Sequence, residues 1–339
     1  MKAAVFYGPH QPLRIEEVAD PKPGAGEILV RVAACGVCHT DLHYIEHGVP
    51  TFKKPPLILG HEPAGTVAEL GAGVTNFKVG DRVLLPATFP CGACFYCRTG
   101  RGNICANLAM LGNNVDGAYA ELIAVRASEA FPLPDAIPLE EGSIIADALS
   151  TPYHAVKDRA QVRPGDTVVV FGCGGVGINV VQIAAAAGAS VIGVDLSARK
   201  REWAKQFGAS DVFDPGAGDV VRSLRRLTRG GPDIVVEAIG NPATIAQGYE
   251  LVRPGGRLCV IGYTNEPLTI SPAKLMYREV EIVGSLGCRP VDYPPLIEMV
   301  RTGKIQLRPL VTHRFPLAEI AEAFEVMKRG ESLRSIVIP

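Results

Sequence analysis

Four of the nine cysteines in this 339-residue sequence fall within "CGACFYCRTGRGNIC", as Cys91, Cys94, Cys97 and Cys105. Four thiolates gathered by one short lobe, here with the spacing C-x2-C-x2-C-x7-C, complete the tetrahedral shell of zinc and leave no position open to a substrate. The set therefore reads as a structural metal site. An iron–sulfur cluster also takes four thiolates, but the C-x3-C-P ending of a ferredoxin run is absent. Cys35, Cys173, Cys259 and Cys288 read as small core residues.

A second group of chemically able residues lies in "ACGVCHTDLH" and "LGHEPAG", which supply Cys38, His39, Thr40, Asp41, His43, His61 and Glu62. A catalytic zinc needs a few protein ligands and one open position, and Cys38 with His61 can begin such a set. Spacing alone does not bring them together, and each histidine taken singly also fits a hydrogen-bonded surface residue.

The third is "TVVVFGCGGVGINVVQIAAAAGASVIGVD", where Gly172, Gly174 and Gly177 stand in G-x-G-x-x-G spacing with Gly175 and Val176 between. The run follows a strand pattern and opens a helix pattern, which is the context a dinucleotide pyrophosphate requires. Asp195, at the end of "SVIGV", can accept from both adenosine ribose hydroxyls and repel a 2′-phosphate, which favours NAD. Arg199, Lys200 and Arg201 lie close enough in sequence to meet such a phosphate instead, with Lys200 taken as a cofactor contact.

These residues need two kinds of scaffold. Up to about residue 150, short β-type runs such as "EILVRVAA", "AGTVAEL" and "GDRVLLP" sit between Gly and Pro turns, as in a β-barrel or sandwich. From about Gly165, "TVVVF", "SVIGV", "DIVVEA", "RLCVIG" and "VEIVGS" alternate with helical segments, the texture of a parallel sheet with crossover helices. The final "RSIVIP" is strand-like again and can close the first domain. The fold class is thus α/β plus β.

The formal charge of −1, without a long run of like charge, gives no footprint for nucleic acid or an anionic membrane. No signal-peptide core or membrane-length apolar run is present, so a soluble, cytoplasmic protein is expected.

Taken together, "GVCHTDLH", "GHEPAGTVAELG", "VGDRV", the four-cysteine lobe, "DALSTPYHA", "GCGGVG" and "GESLRSIVI" are similar to the zinc-containing alcohol dehydrogenases of the medium-chain dehydrogenase/reductase family, over essentially the whole chain. The resemblance implies a GroES-like catalytic domain over 1–153 and 292–339, with its zinc lobe at 88–108, interrupted by a Rossmann domain over 154–291. It implies two zinc ions per chain, NAD as cofactor, and a substrate site at the catalytic zinc between the domains.

By motif match, Cys38 and His61 become ligands of the catalytic zinc. Asp147 falls at a third-ligand position where many members have Cys and some have Asp. Glu62 becomes either an exchangeable carboxylate near the metal or a structural ion-pair partner. The resemblance also implies that an alcohol replaces water on zinc and yields hydride to nicotinamide, while Thr40 and His43 carry the proton away. His39 and Arg334 match positions that contact the cofactor pyrophosphate.

The expected activity is reversible oxidation of a primary or secondary alcohol to aldehyde or ketone by a homodimer or homotetramer. An NADP-preferring aldehyde or polyol oxidoreductase of the same family is the alternative. A zinc-free reductase on this fold would lack the ligands, and a non-catalytic cofactor-binding protein would have no use for an open metal site. Val49 and Ala87 hint at room for larger alcohols.

Overall fold

The computed structural model describes residues 1–339, without the side chain of Ala217. The chain forms two compact units, one of Met1–Ser150 with Gly287–Pro339 and one of Thr151–Leu286.

The first unit is organised by the strand Glu27–Gly36, whose β-branched and small side chains are mostly buried. This strand pairs antiparallel with Pro63–Leu70, with Leu122–Arg126 and, at its C-terminal end, with Arg334–Ile338. Register shifts between Leu29 and Val30 and between Val32 and Ala34 bend it, as bulges do. The last strand of the chain thus completes a sheet begun near the first residues, and it also pairs in parallel with Val311–Pro316. Ile28, Val30, Leu59, Tyr119, Phe324 and Val337 lie in the core this sheet encloses. The cysteine lobe is pinched off at its base by a two-stranded pairing of Thr88–Phe89 with Ala109–Met110.

The second unit is a six-stranded sheet in which every pairing is parallel. Its spatial order is Asp211–Phe213, Ser190–Val194, Thr167–Phe171, Ile234–Glu237, Arg257–Val260, Glu281–Gly284. In sequence order that is 3-2-1-4-5-6, the doubly wound arrangement whose strand order reverses between Thr167–Phe171 and Ile234–Glu237. Val168, Val169 and Val170 are fully buried, consistent with a strand covered on both faces. Each apolar run singled out in the sequence forms a strand. Asp211–Phe213 was not foreseen, because a three-residue, half-buried edge strand carries no apolar run.

Among the described residues, no helix is long and apolar enough to cross a membrane.

Candidate metal centres and cofactor turn

Three neighbouring strands of the first unit converge on one polar cluster. Cys38 follows the strand Glu27–Gly36 by two residues, and His61 and Glu62 immediately precede its partner Pro63–Leu70. Arg334 opens the partner on the other side. Main-chain bonds lock the three together at this level: Gly36 N–H donates to Glu62 O at 3.0 Å and Val37 N–H to Ser335 O at 2.9 Å. Asp147 joins from the end of the 3₁₀ turn Ser143–Ala146.

The donor atoms of Cys38, His61, Glu62 and Asp147 all lie within 4.8 Å of one another. His61 Nε2 is 3.7 Å from Asp147 Oδ2. His61 Nε2 is buried without a hydrogen bond among the described residues, while Nδ1 faces the Asp41 carboxylate at 3.4 Å. An orphaned imidazole facing a thiol and a carboxylate is costly unless something fills the gap. A cation does so. Burial opposes a charge on His61, yet the fields of Asp41, Cys38 and Asp147 override it and hold its pKa well above the ordinary histidine value. The donor set of thiol, imidazole and carboxylate suits zinc, and three such ligands leave a position open.

Asp41 and Tyr119 stand behind the cluster. Asp41 Oδ1 is 3.4 Å from His61 Nδ1, and the Tyr119 hydroxyl donates to Asp41 Oδ2 at 2.8 Å. All three residues are fully buried. A carboxylate behind a ligating imidazole fixes the ring's tautomer and raises its basicity. Asp41 is visible in the sequence motif without a role, and Tyr119 gives no signal there.

Glu62 is paired with the Arg334 guanidinium, and its other oxygen, Oε1, is buried without a hydrogen-bond partner among the described residues. Burial pushes the Glu62 carboxyl up while Arg334 pulls it down. Breaking such a pair by removing Arg334 costs about 3–5 kcal/mol, because a buried carboxylate is left uncompensated.

The short helix His39–Ile45 carries the remaining motif residues, starting from Cys38 in extended conformation. Leu42 and Tyr44 bury one side of it. Thr40 Oγ1 lies 3.6 Å from Cys38 Sγ, which puts its hydroxyl beside the cluster. His39 is exposed at the helix start and His43 is half-buried. His43 Nδ1 is 2.8 Å from Nδ1 of His47, and the two are four apart, the spacing of neighbours on a helix and the only signal of the contact in the sequence. Burial first, and the His47 ring second, lower the His43 pKa. Val49 packs against the core of this unit and Ala87 is buried within it.

In the lobe, the sulfurs of Cys94 and Cys97 are 3.5 Å apart, those of Cys94 and Cys105 3.7 Å, and those of Cys91 and Cys97 4.0 Å. These are not disulfide distances. Four sulfurs at about 2.3 Å from one zinc would be about 3.8 Å from each other, so the lobe has the size of a tetrahedral thiolate site. Backbone N–H groups of Cys97 and Ala106 draw the Cys94 thiol down to about 6, whereas desolvation and the adjoining thiols push Cys97 up to about 12. Without a cation the four sulfurs cannot all be thiolates. The other cysteines, Cys35, Cys173, Cys259 and Cys288, are buried.

In the second unit, the strand Thr167–Phe171 runs through the glycine turn into the helix Gly177–Ala186. Gly172 has φ of +88°, and a Cβ on Gly177 would lie 1.7 Å from Gly172 O, so neither position accepts a side chain. A Cβ on Gly174 would meet nothing within 4 Å, leaving open space beside the backbone where a pyrophosphate can approach. Asp195 closes the turn: Oδ2 accepts Cys173 N–H and Oδ1 accepts Ser197 N–H, both at 2.9 Å. Each oxygen keeps a lone pair for a ribose hydroxyl.

Arg201 is engaged with Asp214 at 2.8 Å and with the carbonyls of Asp195 and Leu196. Arg199 lies over the Trp203 ring, and Lys200 N–H caps onto Ser197 Oγ. Glu237, fully buried at the end of its strand, accepts N–H bonds from Ile239 and Gly240 and the Thr244 hydroxyl. It thereby holds the loop whose Ile239 packs by Gly172. The signal in the sequence is an acid closing the apolar strand Ile234–Glu237.

The chain is similar to known proteins along its whole length. Residues 24–135 match the alcohol dehydrogenase GroES-like domain and residues 175–302 the zinc-binding dehydrogenase family. An alcohol dehydrogenase of Geobacillus stearothermophilus is 37% identical over 339 residues, covering 100% of this chain and 99% of that protein. The sorbitol dehydrogenase of Gallus gallus is 37% identical over 330 residues, 95% of this chain and 92% of that one. The crystal structure of a zinc-binding dehydrogenase from Sinorhizobium meliloti 1021 bound to NADP superposes with a TM-score of 0.93 at 33% identity, covering 100% of this chain and 99% of that one. With both of its domains matched and relatives aligned end to end, the chain belongs to the zinc-containing alcohol dehydrogenases of the medium-chain dehydrogenase/reductase family.

Proposed function

We propose that this protein is a zinc-dependent, NAD-preferring dehydrogenase that interconverts a primary or secondary alcohol with its aldehyde or ketone, and that each chain carries two zinc ions. The observation that carries the reading is the orphaned, fully buried His61 Nε2, 3.7 Å from Asp147 and clustered with Cys38.

Cys38, His61 and Asp147 would hold the catalytic zinc, with Glu62 as an exchangeable carboxylate through its unpaired Oε1. Zinc bound there supplies a Lewis acid that lowers the pKa of an alcohol at its open position. Asp41 orients His61. Thr40, beside Cys38, takes the alcohol proton in hydrogen bond, and His43 accepts it as a neutral imidazole, a state its lowered pKa favours. Cys91, Cys94, Cys97 and Cys105 would hold the second zinc, which is structural. Gly172 to Gly177 and Asp195 bind the dinucleotide, with Lys200, His39 and Arg334 as further cofactor contacts. Small-molecule alcohols or aldehydes are the partners, in a cytoplasmic homodimer or homotetramer.

An NADP-preferring polyol or aldehyde oxidoreductase is the second reading. It draws on the NADP-bound neighbour and the sorbitol dehydrogenase relative. Against it, Asp195 keeps its carboxylate in the turn, where it repels a 2′-phosphate. Catalytic efficiencies with NAD and NADP, over a panel of simple, aromatic and polyhydric alcohols, decide between the two. A wild-type preference for NADP would overturn the cofactor assignment.

A further inference from the structure

The helix that carries Thr40 and His43 ends at Ile45, and one turn beyond His43 the chain places a second imidazole, exposed to solvent. The rings of His43 and His47 have centroids 5.0 Å apart and planes inclined by 45°, with Nδ1 facing Nδ1 at 2.8 Å. At that separation the two nitrogens share one proton: one ring must donate from Nδ1 and the other accept there. The contact cannot survive with both rings protonated at Nδ1, so the pair holds one mobile proton between a half-buried ring and an exposed one. Neither ring is needed to cap the helix, because the terminal carbonyls of Leu42 and His43 already accept the N–H groups of Glu46 and Val49.

We propose that His47 is the solvent-side member of a two-imidazole relay and carries to water the proton that His43 accepts during alcohol oxidation. This rests on the oxidation assigned above. As a proton enters the Nε2 lone pair of His43, the Nδ1–H bond of His43 breaks and its proton forms an N–H bond at His47 Nδ1. His47 then releases its Nε2 proton to water or buffer. One proton enters and one leaves, and no electrons move; between turnovers His47 Nε2 takes a proton from water, the shared proton returns to His43 Nδ1 and His43 Nε2 gives its proton to water, which restores the starting tautomers. His47 acts through His43 and touches no reacting atom, so it is a positioning residue with a transport role.

The test uses the full-length, zinc-loaded protein. Proton release in a single turnover with NAD and an accepted alcohol is followed with a pH-indicator dye in dilute buffer, for wild type, His47→Gln and His43→Gln. His47→Gln is expected to slow proton release roughly ten-fold, less than the 10²–10⁴ typical of a general base at the reacting group. Added imidazole should restore the rate, with KM and zinc content unchanged. Wild-type release in His47→Gln, or a loss that imidazole does not repair, would overturn the relay.

A second readout needs no turnover. In ¹⁵N-labelled protein the Nδ1 of His43 should lose its hydrogen-bond signature in His47→Gln, and an unchanged His43 signal would overturn the pair itself. If wild type reduces neither NAD nor NADP with any alcohol, the fault lies in the functional reading. Normal turnover with an indifferent His47→Gln places it in the relay alone.

Discussion

Asp41 and His61 lie twenty residues apart in the chain, yet Asp41 Oδ1 sits 3.4 Å from His61 Nδ1, with both side chains fully buried. The imidazole therefore presents its other nitrogen, Nε2, to Cys38 and Asp147. Asp41→Asn should lower affinity for the metal at this site roughly 10- to 100-fold, the usual effect of losing the carboxylate behind a ligating histidine. Chelator competition with metal analysis reads it, and retention of that zinc at wild-type strength would deny Asp41 this role.

The two metal sites should separate under mutation. Cys94→Ala removes one wall of the closed thiolate lobe and should lower both the unfolding temperature and the zinc content by about one ion. Cys38→Ala should abolish turnover while the thermal transition stays close to wild type. Equal loss of stability in both variants would argue against the division into structural and catalytic ions.

Legibility in the sequence followed distance along the chain. The cysteine lobe and the glycine turn are each written in one contiguous stretch, so residue type and spacing sufficed to single them out. Tyr119 reaches Asp41 across 78 positions, held there by main-chain bonds to Leu59 and Ala4, residues remote from it in the chain. Asp147 and Arg334 came from family resemblance, because no local pattern ties either to His61. The strand Asp211–Phe213 escaped notice through brevity. His47 is a different case: its i, i+4 spacing with His43 stands in "HYIEH", but spacing alone does not show that two rings meet beyond a helix end.

His43→Gln should slow alcohol oxidation by about 10²- to 10⁴-fold without loss of zinc, as expected when one positioned general base is removed. Burial and His47 hold the His43 pKa below its ordinary value of 6.5. The neutral, proton-accepting form therefore persists above that depressed pKa and is lost as pH falls through it. In wild type the acid limb of the rate profile should lie below pH 6.5, and it should vanish in the variant. A limb that persists unchanged, or a variant short of one zinc, would reject the assignment.

Asp195 is held by two backbone N–H groups, so its charge is fixed in the turn. Asp195→Gly should erode or reverse the preference for NAD. The repelling carboxylate is gone, and Arg199 and Lys200 follow it closely in the chain, whereas Arg201 is tied to Asp214. The ratio of kcat/KM for NAD to that for NADP, in wild type and variant, measures it. An unchanged ratio would show that another residue sets the preference.

The most direct test of the whole account is the absorbance of reduced nicotinamide with NAD and a panel of alcohols, in protein purified without chelator. The prediction is alcohol-dependent NADH formation that disappears when the zinc held by Cys38, His61 and Asp147 is stripped and returns when zinc is restored. Turnover that survives the loss of that zinc, or no reduced cofactor with any alcohol tested, would contradict it.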